Sequence, residues 1–232
     1  MDAARKRGIV VNCAAGADAE STAQHTFSLL LELAAGVGHH AHTVRNGRWA
    51  RSQDFTYRLQ PLMELSGQTI GVVGFGRVGQ VVARIARGFG MNVLIVDTTP
   101  PAAIPEGAHL GELDALLSVS DVVSLHCPHT LQSERLINSA TLARMKPSAY
   151  LLNTAHGALI DEDAVAASLR ERKLSGYAAD VLAGEPPSPK NPLLRAPRCI
   201  LTPHLAWGSR AARERIIQQA AEQLKQFQGS PP

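Results

Sequence analysis

The sequence predicts an α/β fold built on a doubly wound parallel sheet, and three observations carry that expectation. Short runs rich in Val, Ile and Leu recur along the 232 residues, segments with helical spacing lie between them, and a glycine-rich turn joins one run to the helix after it. Runs that are apolar throughout suit strands buried on both faces. Their alternation with helices implies right-handed βαβ units.

In chain order the expected strands are Gly8 to Val11, Thr69 to Val73, Val93 to Val96, Val122 to Leu125, Tyr150 to Leu152 and Cys199 to Leu201. A long helix is expected after Ala19. Helical spacing continues through Val78, Val81, Val82 and Ile85, then Leu113, Leu116 and Leu117, then Val165 and Leu169, and in a last helix from about Ser209 to Phe227. Asp161 reads as an N-cap with Glu162 and Asp163 in the first turn, where negative charge suits the helix dipole. Pro186, Pro187, Pro189, Pro192 and Pro197 crowd one stretch, which is expected to be an irregular loop because proline withholds a backbone donor.

Composition narrows the function classes. A 45% apolar content supports an ordinary globular core, and a net charge of +3 with arginines scattered from Arg45 to Arg87 makes no nucleic-acid footprint. The apolar stretch from Phe27 to Val37 is interrupted by Glu32 and is shorter than the roughly 18 residues of a membrane span. Met1 to Arg7 is basic without an apolar stretch behind it, unlike a secretory signal, so the expected location is cytoplasmic. Cys13, Cys127 and Cys199 show no C-x-x-C spacing and read as buried small apolar side chains. His39, His40 and His42 have no carboxylate or cysteine at ligand spacing and read as a polar helix end, so no metal site is expected.

The strand Thr69 to Val73 runs straight into Gly74-Phe75-Gly76-Arg77-Val78-Gly79, and a periodic helix follows. This is G-x-G-x-x-G in the setting that gives it meaning. Gly74 permits the tight turn, Gly76 lets the backbone approach a pyrophosphate, and Gly79 lets the helix pack closely on the strand. Phosphate then sits on the helix N-terminus. Asp97 closes the next strand, where a carboxylate accepts from the adenosine ribose hydroxyls and repels a 2′-phosphate. The expected domain is therefore of Rossmann type and the expected cofactor is NAD rather than NADP.

Six further segments occur in order: Leu65 to Gly71, Leu125-His126-Cys127-Pro128-His129-Thr130, Met145-Lys146-Pro147, Asn153-Thr154-Ala155-His156-Gly157, Asp180-Val181 with Glu185-Pro186, and Thr202-Pro203-His204. With them the chain resembles the D-2-hydroxyacid dehydrogenase family along nearly its whole length. The resemblance implies hydride transfer between NAD(H) and a small 2-hydroxy or 2-keto acid. It places Cys127, Pro128, Thr130, Thr154, Ala155 and Asp180 on the cofactor path, with Asp180 near the carboxamide. His204 matches the acid/base histidine and Glu185 the carboxylate that pairs with it, orienting the ring and favouring its charged form.

Two departures stand out against this pattern. His156 occupies the place of an arginine whose fork grips the substrate carboxylate, and an imidazole cannot form that fork. Losing one charge-assisted bond and part of the charge corresponds to a rate loss of roughly ten- to several-hundredfold. Met1 to Val11 resembles the closing helix and strand of the family's substrate lobe, so the expected organisation is a remnant of that lobe in residues 1–18, the Rossmann domain in 19–205 and a C-terminal helix in 206–232, with the substrate lobe largely missing. Gln24 stands where a glutamate is common. The departures favour a second reading, a non-catalytic NAD(H)-binding interaction module like the family's corepressor relatives, whereas Glu185 and His204 favour the enzyme. By resemblance the chain forms a homodimer through this lobe, with Val44 to Trp49 as the arm that reaches the partner or, for Trp49, a place in the core.

Overall fold

The computed structural model describes residues 2–14, 16–99 and 104–229. Its centre is one seven-stranded parallel sheet in the order β3-β2-β1-β4-β5-β6-β7. The strands are β1 Thr69–Val73, β2 Asn92–Val96, β3 Ala108–Leu110, β4 Val122–Leu125, β5 Tyr150–Asn153, β6 Gly176–Ala179 and β7 Cys199–Leu201. The helices are α1 Asp2–Arg5, α2 Ala19–Ala35, α3 Val37–Arg45, α4 Arg77–Gly88, α5 Leu113–Val119, α6 Ser139–Leu142, α7 Glu162–Arg170 and α8 Arg210–Gly229.

Strand alternation divides the core in two. Ile70, Val72, Val122 and Leu152 turn to one face and pack with Leu30 of α2 and Val82 of α4. Val73, Val123, Leu125 and Leu151 turn to the other and pack with Leu116 of α5, Leu142 of α6 and Val165 of α7. Helices on both faces make the sheet doubly wound, as expected. β1 pairs with both β2 and β4, so the winding reverses there and the loops leaving their carboxyl ends part to form a crevice.

The long helix expected after Ala19 ends at Gly36, whose φ of 59° is left-handed and whose N–H donates to Glu32 O. Asp161 caps α7 by accepting from the Ala164 N–H, as anticipated. Pro192 opens a 3-10 turn, Pro192–Arg195, inside the proline-rich stretch.

Four expectations need correction. Gly8 to Val11 is not a strand: Ile9, Val10 and Val11 are exposed and pair with no neighbour, because branched side chains favour a ladder but do not supply one. Cys13 is exposed, while Cys127 and Cys199 are half-buried. Trp49 lies outside the core, its indole N–H donating to Phe55 O at 3.0 Å. β3 and β6 went unanticipated. β3 has three residues, and β6 reads Gly-Tyr-Ala-Ala because its neighbours leave little room; a Cβ on Gly176 would lie 2.9 Å from the Leu33 side chain.

Candidate functional site

The glycine-rich turn makes the floor of the crevice. Gly74 has a φ of 93°, and a Cβ there would lie 2.4 Å from Cys127 N in the loop after β4. A Cβ on Gly79 would fall 2.2 Å from Gly74 O, so α4 sits as close to the turn as only glycine allows. Gly76 differs. Nothing lies within 4 Å of the Cβ it lacks, so the space above it is open to a ligand. Gly76 is also the N-cap of α4 and offers no side-chain cap, leaving the first-turn N–H groups for an anion. The Phe75 side chain is buried, and only its backbone meets the site: its N–H donates to Asp97 Oδ2 at 2.5 Å, while Asp97 Oδ1 accepts from Thr99 N at 2.8 Å. An open step, an uncapped helix and a carboxylate just beyond β2 together fit a dinucleotide.

From this floor a cleft of about 700 Å³ runs along the ends of β1, β4, β5 and β6. Gly76, Arg77 and Val78, then Cys127 and Pro128, then Thr154, Ala155 and His156, then Asp180 and His204 line it. Gly74 and Gly79 shape the turn beneath, and Asp97 is not on the cleft wall but holds that turn through the Phe75 N–H. Thr130 is not on the cleft wall. It is exposed, and its N–H and hydroxyl are tied to Ser133 Oγ.

Asp180 is the knot of the site. It is 1% exposed, yet its carboxyl is held below the usual carboxylate range: burial raises it, and hydrogen bonds from His25, Thr202 and the backbone N–H groups of Ala206 and Leu205 outweigh that. Thr202 Oγ1 donates to Oδ1 at 2.5 Å, Leu205 N to Oδ1 at 3.0 Å and Ala206 N to Oδ2 at 2.7 Å. These bonds hold a tight loop in which His204 has a φ of 53°, a left-handed conformation that costs an ordinary residue about 1 kcal/mol or more. His204 Nδ1 lies 2.5 Å from Glu185 Oε2. An ionised carboxylate only accepts, so Nδ1 carries the proton of that bond and Nε2 is left for exchange with a substrate. Glu185 is fixed in turn by the Leu182 N–H at 2.8 Å. Burial pushes the Glu185 carboxyl up, but the bonds from His204 and Leu182 prevail and hold it below its ordinary value.

His156 faces the same opening. Its proton affinity is lowered, by burial first and then by the nearby imidazoles of His129 and His204. His126, on the cleft wall, is pushed down to about 3 by burial and stays neutral, with Nε2 2.8 Å from Ser124 Oγ. Burial likewise raises the Cys127 thiol and pushes Cys199 up to about 12.

Sequence reasoning missed the contribution of α2. His25 Nε2 lies 2.8 Å from Thr202 Oγ1 and 3.4 Å from Asp180 Oδ1, Thr26 Oγ1 meets Thr154 Oγ1 at 2.8 Å, and Ser21 Oγ donates to Ala206 O at 2.6 Å. The signal was present. Ser21, Thr22, His25 and Thr26 form a polar strip at one-turn spacing on a helix whose other inward residues are apolar.

A family model described as the D-isomer specific 2-hydroxyacid dehydrogenase NAD-binding domain matches residues 27–206. The chain belongs to this family. The chain is 38% identical over 233 residues to a hydroxypyruvate reductase of Blautia hydrogenotrophica, covering 100% of this chain and 72% of that one. A glyoxylate reductase of Aeropyrum pernix is 36% identical over 236 residues, covering 100% and 70%. The crystal structure of a D-lactate dehydrogenase from Aquifex aeolicus complexed with NAD and lactic acid superposes with a TM-score of 0.82 at 30% identity, covering 97% of this chain and 71% of that one. The chain thus spans about seven tenths of the length of these D-2-hydroxyacid dehydrogenases. The family's members are NAD-dependent oxidoreductases acting on the CH–OH of 2-hydroxy acids, and NAD is the cofactor of this domain. Nothing in these relatives favours the interaction-module reading. Among the described residues no helix is long and apolar enough to cross a membrane.

Proposed function

We propose that this chain catalyses the NADH-dependent reduction of a small 2-keto acid of glyoxylate or hydroxypyruvate size, and the reverse oxidation. The observation that carries this reading is the His204–Glu185 pair, which sets His204 on the wall of the cleft that begins at the glycine-rich turn. The first-turn N–H groups of α4 and the open step at Gly76 receive the pyrophosphate, and Asp97 receives the adenosine ribose. When bound, NAD(H) supplies or takes up the hydride at C2 of the acid. His204 Nε2 gives a proton to the carbonyl oxygen as it becomes a hydroxyl, and takes it back in the oxidation. Glu185 holds Nδ1 so that the ring neither turns nor loses its orientation between the two directions. Asp180 keeps His204 in place through the loop backbone, and one of its lone pairs on Oδ2 stays available to a carboxamide. His156 faces the substrate carboxylate.

The reading includes a homodimer, supported by exposed apolar side chains at Trp49, Phe55 and Phe89, and a cytoplasmic setting in which NADH is supplied. Steady-state assays with NADH and hydroxypyruvate test the reaction. Wild-type turnover is expected, His204→Ala abolishes it, and NADH binding followed by nucleotide fluorescence is unchanged in that variant. Turnover that survives His204→Ala would remove this histidine from the proton transfer.

A further inference from the structure

We propose that His129 and His156 together form a two-imidazole seat for the carboxylate of the substrate, which makes His129 a substrate-binding residue of this reaction. The proposal rests on the reading of His204 as the proton donor and adds to it the group that holds the other end of the acid. A recess of about 250 Å³ opens beside the dyad, and His129, His156, Glu185 and His204 line it. His129 comes from the loop after β4, His156 from the loop after β5, and His204 from the loop after β7. Three separate crossings of the sheet deliver one imidazole each to one small space.

The charges in that space sort themselves by hydrogen bonding. Glu185 is taken by His204 Nδ1 and the Leu182 N–H, and Asp180, in the adjoining cleft, is taken by the His204 loop and His25. The remaining titratable groups lining the recess with His156 are His129 and His204, and Asp18, Arg77, His126 and Cys127 line the adjoining cleft. Neither His129 nor His156 has a side-chain hydrogen-bond partner among the described residues. The His129 imidazole lies close enough to disfavour a positive charge on His156, whose proton affinity is lowered by burial first and then by His129 and His204. An anion seated between His129 and His156 reverses that penalty. It lets both rings protonate and donate, giving two charge-assisted bonds to one carboxylate from two side chains in place of one guanidinium. The sign follows directly: acid pH favours the seat, and affinity for the anion falls as pH rises and the imidazoles lose their protons.

The test uses the full chain loaded with NADH and oxamate as the probe, a carboxylate that is not reduced, titrated by calorimetry at about pH 6 and about pH 8. Wild type should bind at least about tenfold more tightly at the lower pH. His129→Leu and His156→Leu should each weaken binding at the lower pH by about tenfold and flatten the pH dependence, since each removes one charged hydrogen bond. His129 is exposed, so His129→Leu should leave the thermal melt and NADH affinity unchanged. Oxamate binding by His129→Leu equal to wild type would overturn the proposal, as would no oxamate binding by wild type at the lower pH. Zinc chloride binding that requires both histidines, without any histidine effect on oxamate, would also overturn it and make the pair a metal site. The two readings separate cleanly. If hydroxypyruvate is not reduced but oxamate binding keeps its dependence on pH and His129, the reaction fails and the seat stands; if reduction stops in His204→Ala while His129→Leu keeps the wild-type KM, the seat alone fails.

Discussion

On the proposed reading, position 156 governs how much charge meets the substrate. The His156 imidazole is disfavoured as a cation by burial and by its neighbours His129 and His204, so it is largely neutral at pH 7 and gains its proton only below the ordinary histidine range. Reduction of hydroxypyruvate should therefore accelerate only as pH falls below the ordinary histidine range. His156→Arg should raise kcat/KM at neutral pH by about one to two orders of magnitude and flatten that part of the profile, because a guanidinium stays charged and offers two parallel donors. A pH–rate series on both proteins reads this directly, and an unchanged rate in His156→Arg would remove position 156 from substrate binding. Just beyond β2, Asp97 holds the Phe75 and Thr99 N–H groups, and on the proposed reading it also faces the ribose. Asp97→Ala should weaken NADH by losing ribose contacts and narrow its advantage over NADPH by removing repulsion. Equal affinities of the wild type for both nucleotides, in a fluorescence titration, would sink that assignment.

At the scale of the element, the turn between β1 and α4 separates glycine's two services. Gly79→Ala places a Cβ 2.2 Å from Gly74 O, so α4 must shift from the sheet and both stability and NADH affinity should fall; overpacking of this kind costs about 1–3 kcal/mol. Gly76→Ala meets nothing within 4 Å and keeps an ordinary φ of −67°, so the melt should hardly move while the new methyl obstructs the pyrophosphate and weakens NADH by about tenfold or more. Urea melts paired with nucleotide titrations distinguish the two, and a Gly76→Ala variant that binds NADH normally would count against this placement of the phosphates. The sequence made this element readable because strand, glycines, helix and acid are contiguous or nearly so. β1, β2, β4, β5 and β7 were legible for a related reason: their branched side chains fill two faces at once. β6 was not, since its alanines and glycine answer to the bulk of Leu33 and Tyr150, which only the tertiary packing reveals. Nor was the polar strip of α2, where His25 and Thr26 acquire meaning only when Thr202 and Thr154, more than 120 residues away in sequence, arrive beside them.

The whole molecule has more apolar surface than its own fold covers. Ile9 to Val11 and Ile217, Leu224 and Phe227 of α8 carry part of it, and two further regions bear on assembly. One follows α3, where Trp49 is 53% and Phe55 88% exposed; the other lies along α2 and α4, where Leu31 and Phe89 are exposed beside a hollow of about 420 Å³ lined by Phe27 and Ile85. The segment from Val44 to Trp49 is the end of α3 and the turn after it, outside the sheet, and its indole bond is local, to Phe55 O. On the proposed dimer reading, such an arm buries its aromatics by reaching a second copy, and a twofold axis would place each arm on the other's α2–α4 face. Sedimentation equilibrium at micromolar concentration should therefore give a dimer. Trp49→Asp together with Phe55→Asp should shift it toward monomer while leaving far-UV circular dichroism intact, because neither side chain belongs to either core cluster. NADH affinity should persist in the monomer, since the glycine-rich turn, Asp97 and the His204 loop are all supplied by one chain. A wild type that sediments as a monomer would refute the arm, and a double variant that unfolds instead of dissociating would assign those aromatics to the stability of the single chain.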